Sequence, residues 1–284
     1  MAALLGLAFG SFLNVCLSRW PEDESILTPR SHCRACKRRL AWWENLPVAS
    51  WLALRGRCRT CGAWIGWRYP AVELAVGVLW ALVGWRLTSE LVNPALPTET
   101  FYFDLVTALA TFLFLWLLVA LAALDAEHLW LPNWLTLPGA AAGFLIFAAQ
   151  IVLFAKVDAW SSAFSILLGR LMGIVAAAGL ILVIRWTYKL VRKHEGMGLG
   201  DAKLMAMLAA WLGLPGALLS FVLGVVLSAV FALVLLALPR ARRGSASWAM
   251  TKLPLGGFLC AGGAVSALWG HQIILAYLRW QGFA

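Results

Sequence analysis

The chain has 284 residues, of which 62% are hydrophobic and only 13% charged, and its mean hydropathy is +0.83. That balance excludes an ordinary soluble domain, which would need many more charged side chains to cover its surface. Apolar runs of about 18 residues or more with few charges recur along the chain and read as transmembrane helices. The formal net charge of +10 raises nucleic-acid binding as a possibility, but the placement of the basic residues argues against it.

The fold class expected is an all-α polytopic membrane protein with about eight transmembrane helices and a small cytoplasmic four-cysteine, zinc-binding loop domain. The first helix falls near 2–18. It has no positive region ahead of it, Arg19 comes after the apolar run, and Trp20, Pro21, Glu22 and Asp23 follow where a signal peptide would carry small residues, so it reads as an anchor. The other helices fall near 71–87, 103–124, 134–155, 164–187, 202–214, 217–238 and 254–280. The sixth is short for a full span of a ~30 Å hydrocarbon core. Pro215 and Gly216 part it from the seventh, so these two are expected to form a hairpin that does not cross completely. The domain division expected is 1–19 as the first membrane helix, 20–70 as the four-cysteine module and 71–284 as a membrane core.

Lys and Arg orient the loops. Arg30, Arg34, Lys37, Arg38, Arg39, Arg55, Arg57, Arg59 and Arg68 lie between the first two helices. Arg185, Lys189, Arg192, Lys193 and Lys203 form a second group, and Arg240, Arg242, Arg243 and Lys252 a third. The segment 88–102 carries Glu90 and Glu99 and no basic residue. Alternating helices place the three basic groups on one face, which is then cytoplasmic, with both chain ends outside. The high pI is explained by topology, with the lipid bilayer and not nucleic acid as partner.

Cys33-Arg-Ala-Cys36 and Cys58-Arg-Thr-Cys61 are two Cys-x-x-Cys pairs separated by 21 residues. Two such knuckles together complete a tetrahedral Zn²⁺ shell. A cytoplasmic location disfavours disulfides, and the surrounding cations favour thiolate. Four thiolates leave no open position for water, so such a zinc ion builds a fold and does no hydrolysis. Cys16 and Cys260 lie in apolar helices and read as small core residues, and the 17 Trp residues read as interface anchors and packing.

Two acids stand at membrane-helix ends, where ionisable groups are costly and mark function. Asp125 closes the run Leu-Val-Ala-Leu-Ala-Ala-Leu-Asp, and Asp201 follows three alternating glycines in Gly196-Met-Gly198-Leu-Gly200-Asp201-Ala-Lys203. An interfacial acid or a helix N-terminal Asp would explain either alone; three glycines suit close approach of another backbone. The expected topology puts both acids on one face, from different helices. Paired carboxylates do not both ionise easily. The ionised one then takes a proton from water while the protonated one polarises a carbonyl, with no metal needed; the protons belong to the pair.

Gly10-Ser-Phe-Leu-Asn-Val15 with Arg19-Trp-Pro21, the stretch from Trp43-Glu-Asn-Leu-Pro47 to Glu73, Asp125 with Leu131-Pro132 and Leu135-Thr-Leu-Pro138, Gly196 to Lys203, and Pro254-Leu-Gly256-Gly-Phe258 occur in that order. Together they resemble the bacterial type IV prepilin peptidases, over nearly the whole chain. The resemblance implies an aspartic endopeptidase in the inner membrane with Asp125 and Asp201 as catalytic pair and Gly198, Gly200 and Lys203 toward the substrate. It implies cleavage of the basic leader from prepilins and type II secretion pseudopilins at the cytoplasmic face, after a glycine. N-methylation of the new terminus, commonly Phe, by S-adenosylmethionine then follows; no glycine-rich nucleotide loop marks the methyl-donor site. The chain departs from the family at Glu127, where a second Asp is frequent, and at Asn133, where Asp often follows Leu-Pro. Glu127 keeps its carboxylate and so stands as an alternative to Asp125. Glu73 is expected to pair with Arg68 or Lys203, Lys203 to hold the charge of the acid pair or snorkel to the interface, and His128 to be interfacial. A proton- or cation-coupled transporter using the same two acids, and a zinc-stabilised scaffold without catalysis, are the competing readings.

Overall fold

The computed structural model describes residues 1–28, 30–91, 98–154, 160–193, 198–237 and 254–282. Gly196 and the basic cluster Arg240, Arg242, Arg243 and Lys252 lie outside them, as does the middle of the acidic segment, 92–97. Eight helices are used below: α1 Ala2–Arg19, α2 Ala49–Ala53, α3 Arg68–Leu91, α4 Thr98–His128, α5 Asn133–Phe154, α6 Trp160–Arg192, α7 Leu199–Ala237 and α8 Leu255–Trp280. All but α2 are long and apolar enough to cross a membrane. Among the described residues there is no β-strand, only the isolated bridges His32 to Arg39 and Arg57 to Trp64. The chain is a multi-pass membrane protein with two compact units, Met1–Ala123 and Leu124–Ala284.

In the first unit α1 and α3 pack antiparallel through small residues. A Cβ on Gly6 would stand 2.9 Å from the Cα of Gly77, and one on Gly10 would stand 2.7 Å from the Cα of Glu73. Helices in lipid gain no hydrophobic drive against each other, so close backbone approach supplies the attraction. Asn14, four residues on, donates its amide to the Tyr69 carbonyl at 2.8 Å. Indole N–H groups add ties between elements: Trp80 donates to the Phe112 carbonyl at 3.1 Å and Trp116 to that of Phe9 at 3.2 Å.

The four-cysteine module is held by short polar contacts. Arg38 pairs with Glu44 at 2.7 Å, whose other oxygen accepts the Ala41 N–H at 2.8 Å. Trp51 meets Trp64 edge to face and donates to the Ile65 carbonyl at 3.0 Å. The module is fastened to α3 by Glu73, which is buried and accepts the Val48 N–H at 2.7 Å. Val48 has φ +58, a strained conformation for a β-branched residue. A backbone donor thus answers Glu73, where a basic side chain was expected.

In the second unit the long apolar stretch 199–237 is broken at Gly213, with φ +75 and ψ +173. A straight helix of 39 residues would run ~58 Å, about twice a hydrocarbon core. Contacts show instead that it doubles back. Leu131 touches both Gly200 and Gly256, so α7 and α8 start at one level. Gly216 then packs beside Ser266, and Gly224 beside Leu259, so the second half of α7 returns along α8 toward the level of Asp201. The sixth and seventh expected segments therefore form a hairpin, and the break falls two residues before Pro215.

Ending a helix inside the membrane frees carbonyls that no water can satisfy. Arg170 of α6 answers this, donating to the Ala209 carbonyl at 3.4 Å and lying 3.6 Å from the Phe147 ring centroid. On the other side of the break, Ser220 and Ser266 both donate to the Gly216 carbonyl, at 2.7 and 3.0 Å. Trp211 donates to the Gly139 carbonyl at 2.8 Å, tying α7 to α5.

The backbone of Gly213 lies in a region open essentially to glycine alone, and an added Cβ would stand 2.9 Å from Arg170 Nη1. Gly213→Ala is expected to cost about 1–3 kcal/mol and to lower the thermal unfolding midpoint in detergent. Gly179→Ala, where an added Cβ meets nothing within 4 Å, is the control and is expected to cause no loss.

Candidate functional site

Three helix ends converge in the second unit around two carboxylates. Asp125 lies in the last turn of α4, which closes at Leu129 with φ +50 and the Leu129 N–H on the Asp125 carbonyl at 2.9 Å. Asp201 lies in the first turn of α7. Both side chains are buried. Asp125 Oδ2 accepts the N–H of Gly257, in the first turn of α8, at 2.7 Å, and Asp201 Oδ2 accepts the N–H of Gly198 at 3.1 Å. Helix N-termini present free N–H groups and positive potential, so both acids sit where the backbone favours negative charge. Cys260, three residues beyond Gly257, is buried.

Glycines let neighbouring side chains approach closely on two sides of the pair. A Cβ at Gly256 would stand 2.8 Å from Asp125 Oδ2 and 3.0 Å from Leu131, and one at Gly200 would stand 3.1 Å from Leu131. Leu131 is thus the wedge between the mouths of α7 and α8. The loop carrying it is fixed by Pro132, whose carbonyl accepts Leu135 N–H at 3.1 Å, Thr136 N–H at 3.0 Å and the buried Thr136 hydroxyl at 3.1 Å. Lys203, two residues beyond Asp201, donates to Asn133 Oδ1, so its amine ties α7 to the start of α5. Glu127 is exposed and pairs with His128 at 3.8 Å, unlike the buried Asp125. Gly256 as spacer and Gly257 as donor for Asp125 were not assigned from the sequence, which offered only their place in the Pro254–Phe258 segment.

A second constellation lies in the first unit. The sulfurs of Cys33, Cys36, Cys58 and Cys61 all fall within 4.8 Å of one another, with Cys33 and Cys61 3.8 Å apart. A tetrahedral ion with four bonds of about 2.3 Å to sulfur needs neighbouring sulfurs about 3.8 Å apart, so the cluster can hold a metal. The two knuckles share one backbone shape. In the first, Cys33 N–H meets the Arg38 carbonyl at 2.9 Å and Lys37 N–H the Cys33 carbonyl at 2.8 Å; in the second, Cys58 N–H meets Ala63 at 2.8 Å and Gly62 N–H meets Cys58 at 2.9 Å. The residue after the second cysteine is left-handed in both, Lys37 at φ +57 and Gly62 at φ +66.

The N–H groups of Cys61 and Thr60, pointing at the Cys58 sulfur, bring its thiol down to about 6. At Cys61 the Ala63 N–H acts in the same sense but is outweighed by Cys58, burial, Cys36 and Cys33, which push that thiol up to about 11. In metal-free, reduced protein, alkylation of Cys58 followed by mass spectrometry is therefore expected to rise with a midpoint near pH 6. Labelling of Cys61 is expected to be still rising above about pH 9, whatever the absolute rates at the two sites.

Two family models match the chain: the bacterial peptidase A24 N-terminal domain over residues 4–87 and the type IV leader peptidase family over residues 112–233. The chain is 35% identical to a prepilin leader peptidase/N-methyltransferase of Stutzerimonas stutzeri, covering 98% of this chain and 93% of the relative. It is 35% identical to the protein of that name in Pseudomonas aeruginosa, with 99% and 93% covered. One from Myxococcus xanthus is 41% identical over 76% of this chain and 57% of its own length. No solved structure matches the chain.

Proposed function

The chain belongs to the type IV leader peptidase family, and from that premise we propose that it cleaves the leader from prepilins and methylates the new N-terminus, with Asp125 and Asp201 as the cleaving pair. The observation that supports this assignment most is the burial of two carboxylates at one level of the second unit, each with an oxygen held by a backbone N–H. Those N–H groups fix the orientation of the acids and leave the chemistry to their shared proton. One carboxylate takes a proton from the attacking water while the other donates to the scissile carbonyl oxygen, and the same proton inventory then serves the leaving amine. Gly198, where an added Cβ would meet only Asp201 and the Gly200 nitrogen at 3.7 Å, leaves room for an extended peptide, while Gly200 serves that approach by letting Leu131 pack on α7. Lys203 acts from a distance, by keeping α5 and α7 together through Asn133.

In this reading the substrates are prepilins and type II secretion pseudopilins, and cleavage occurs at the cytoplasmic face of the inner membrane. Cys33, Cys36, Cys58 and Cys61 hold a structural zinc ion with a closed shell, which supplies folding energy to the module and takes no part in hydrolysis. S-adenosylmethionine, when bound, supplies an electrophilic methyl group to the freed amine. A transporter using the same acids is not favoured, because the family models and the relatives are peptidases throughout.

Asp125→Asn and Asp201→Asn are each expected to lower prepilin cleavage in membranes by about 10³-fold or more, with normal protein accumulation. Glu127→Gln is expected to stay within about threefold of the parent, since an exposed carboxylate gains little from such a site. Retention of cleavage by either Asn variant would reject the pair. Purified protein is expected to carry about one equivalent of zinc, and Cys58→Ser to lose it together with module protection in hydrogen exchange. A full complement of zinc in that variant would reject the four-thiolate site.

A further inference from the structure

The loop between α4 and α5 is short and pinned at both ends. Leu129 turns it with a left-handed φ of +50, rare for a bulky residue, and its N–H rests on the Asp125 carbonyl at 2.9 Å. At the other end the Pro132 carbonyl accepts the N–H groups of Leu135 and Thr136, and proline pushes the residue before it toward extended backbone. Leu131, between these anchors, is half-buried and has little freedom to withdraw. Two glycines mark where its side chain lies. One carbon out from the Gly256 backbone, Asp125 Oδ2 stands at 2.8 Å and Leu131 Cδ1 at 3.0 Å. One carbon out from Gly200, the residue before Asp201, the same Cδ1 stands at 3.2 Å. A single methyl group thus borders both helix mouths around which the acids are held.

A peptide whose carbonyl is reached by both carboxylates has to lie against this methyl group. The Cα before the scissile bond is attached directly to the reacting carbonyl. A side chain on that residue therefore starts beside the acids and competes with Leu131 for the same space. Packed surroundings do not absorb an extra methyl without a shift of their neighbours, and the pinned loop resists a shift. We propose that Leu131 is the specificity-determining residue of the cleavage site, restricting the residue before the scissile bond to glycine. The inference rests on the peptidase reading with Asp125 and Asp201 and adds to it the side chain that does the selecting. Selection here works by exclusion: the site offers that residue no pocket, and its backbone alone fits between Leu131 and the acids.

The test assays detergent-purified full-length protein on two prepilins that differ only in the residue before the cut, Gly or Ala, and compares the ratio of their kcat/KM values between the parent and Leu131 variants. The parent is expected to favour the Gly substrate by about 100-fold or more. Leu131→Ala is expected to reduce that ratio by about tenfold or more, through a gain in kcat/KM on the Ala substrate. Leu131→Met, of similar volume, is expected to keep the ratio within about threefold. Where truncation to Ala abolishes both cleavages, Leu131→Val makes the same comparison, with an expected fall of about threefold. Because each ratio comes from one preparation, a smaller folded fraction does not imitate the change. A parent ratio near unity, or a ratio that is unchanged in the truncated variants or falls only through loss on the Gly substrate, would overturn the role of Leu131 and leave the acid pair standing. Inactivity of both truncated variants on both substrates would do the same, making Leu131 a structural residue. Parent protein that cleaves neither prepilin would overturn the inference and the peptidase reading together.

Discussion

The carboxylate of Asp125 resting on the N–H of Gly257 is the contact on which the second unit depends. It joins the end of α4 to the beginning of α8, and Leu131, packed on Gly256 and Gly200, brings the beginning of α7 to the same point. A buried acid needs compensation, and among the described residues it comes from backbone dipoles and not from a cation. That choice has a chemical consequence. An arginine partner would fix the charge of a carboxylate outright, whereas an N–H donor orients it and leaves it able to exchange a proton.

The membrane sets the same demand elsewhere, and several polar groups among the described residues are answered from inside the protein. The break at Gly213 is tolerable because Arg170, Ser220 and Ser266 reach the carbonyls around it. Indole N–H groups reach backbone carbonyls of neighbouring helices. Where small residues line α1, the backbones of α1 and α3 themselves supply the contact. Side chains that would look incongruous in an apolar chain are thus mostly structural, and the unanswered ones, Asn14 Oδ1 and Arg38 Nε, stand out against them.

Much of this was legible from residue order. Apolar runs located the long helices, the Cys-x-x-Cys spacing located the sulfur cluster, and acids at helix ends singled out Asp125 and Asp201. The hairpin was legible from the shortness of 202–214, although the turning residue was not, since Pro215 is the stronger breaker on paper and Gly213 carries the unusual dihedrals. What the sequence hides is the work done by main-chain atoms. Glu73 was expected to seek Arg68 or Lys203 and instead takes the N–H of Val48, which holds a positive φ that its residue type disfavours. The Gly257 donor has the same character, because an N–H is common to nearly every residue and announces nothing. Arg170 could have been noticed as a lone cation in an apolar run, but its role follows only from where α7 breaks.

The two knuckles of the sulfur cluster have matching hydrogen bonds but different residues at the left-handed position. Glycine adopts that conformation without penalty, and a side chain there carries a strain of about 1–2 kcal/mol. A metal held by the four sulfurs would therefore have to keep the half containing Lys37 in shape, whereas the half containing Gly62 is pre-shaped. On loss of such a metal, Cys33 and Cys36 would be the first to let go, and the C-terminal knuckle would remain as the template on which the clamp re-forms.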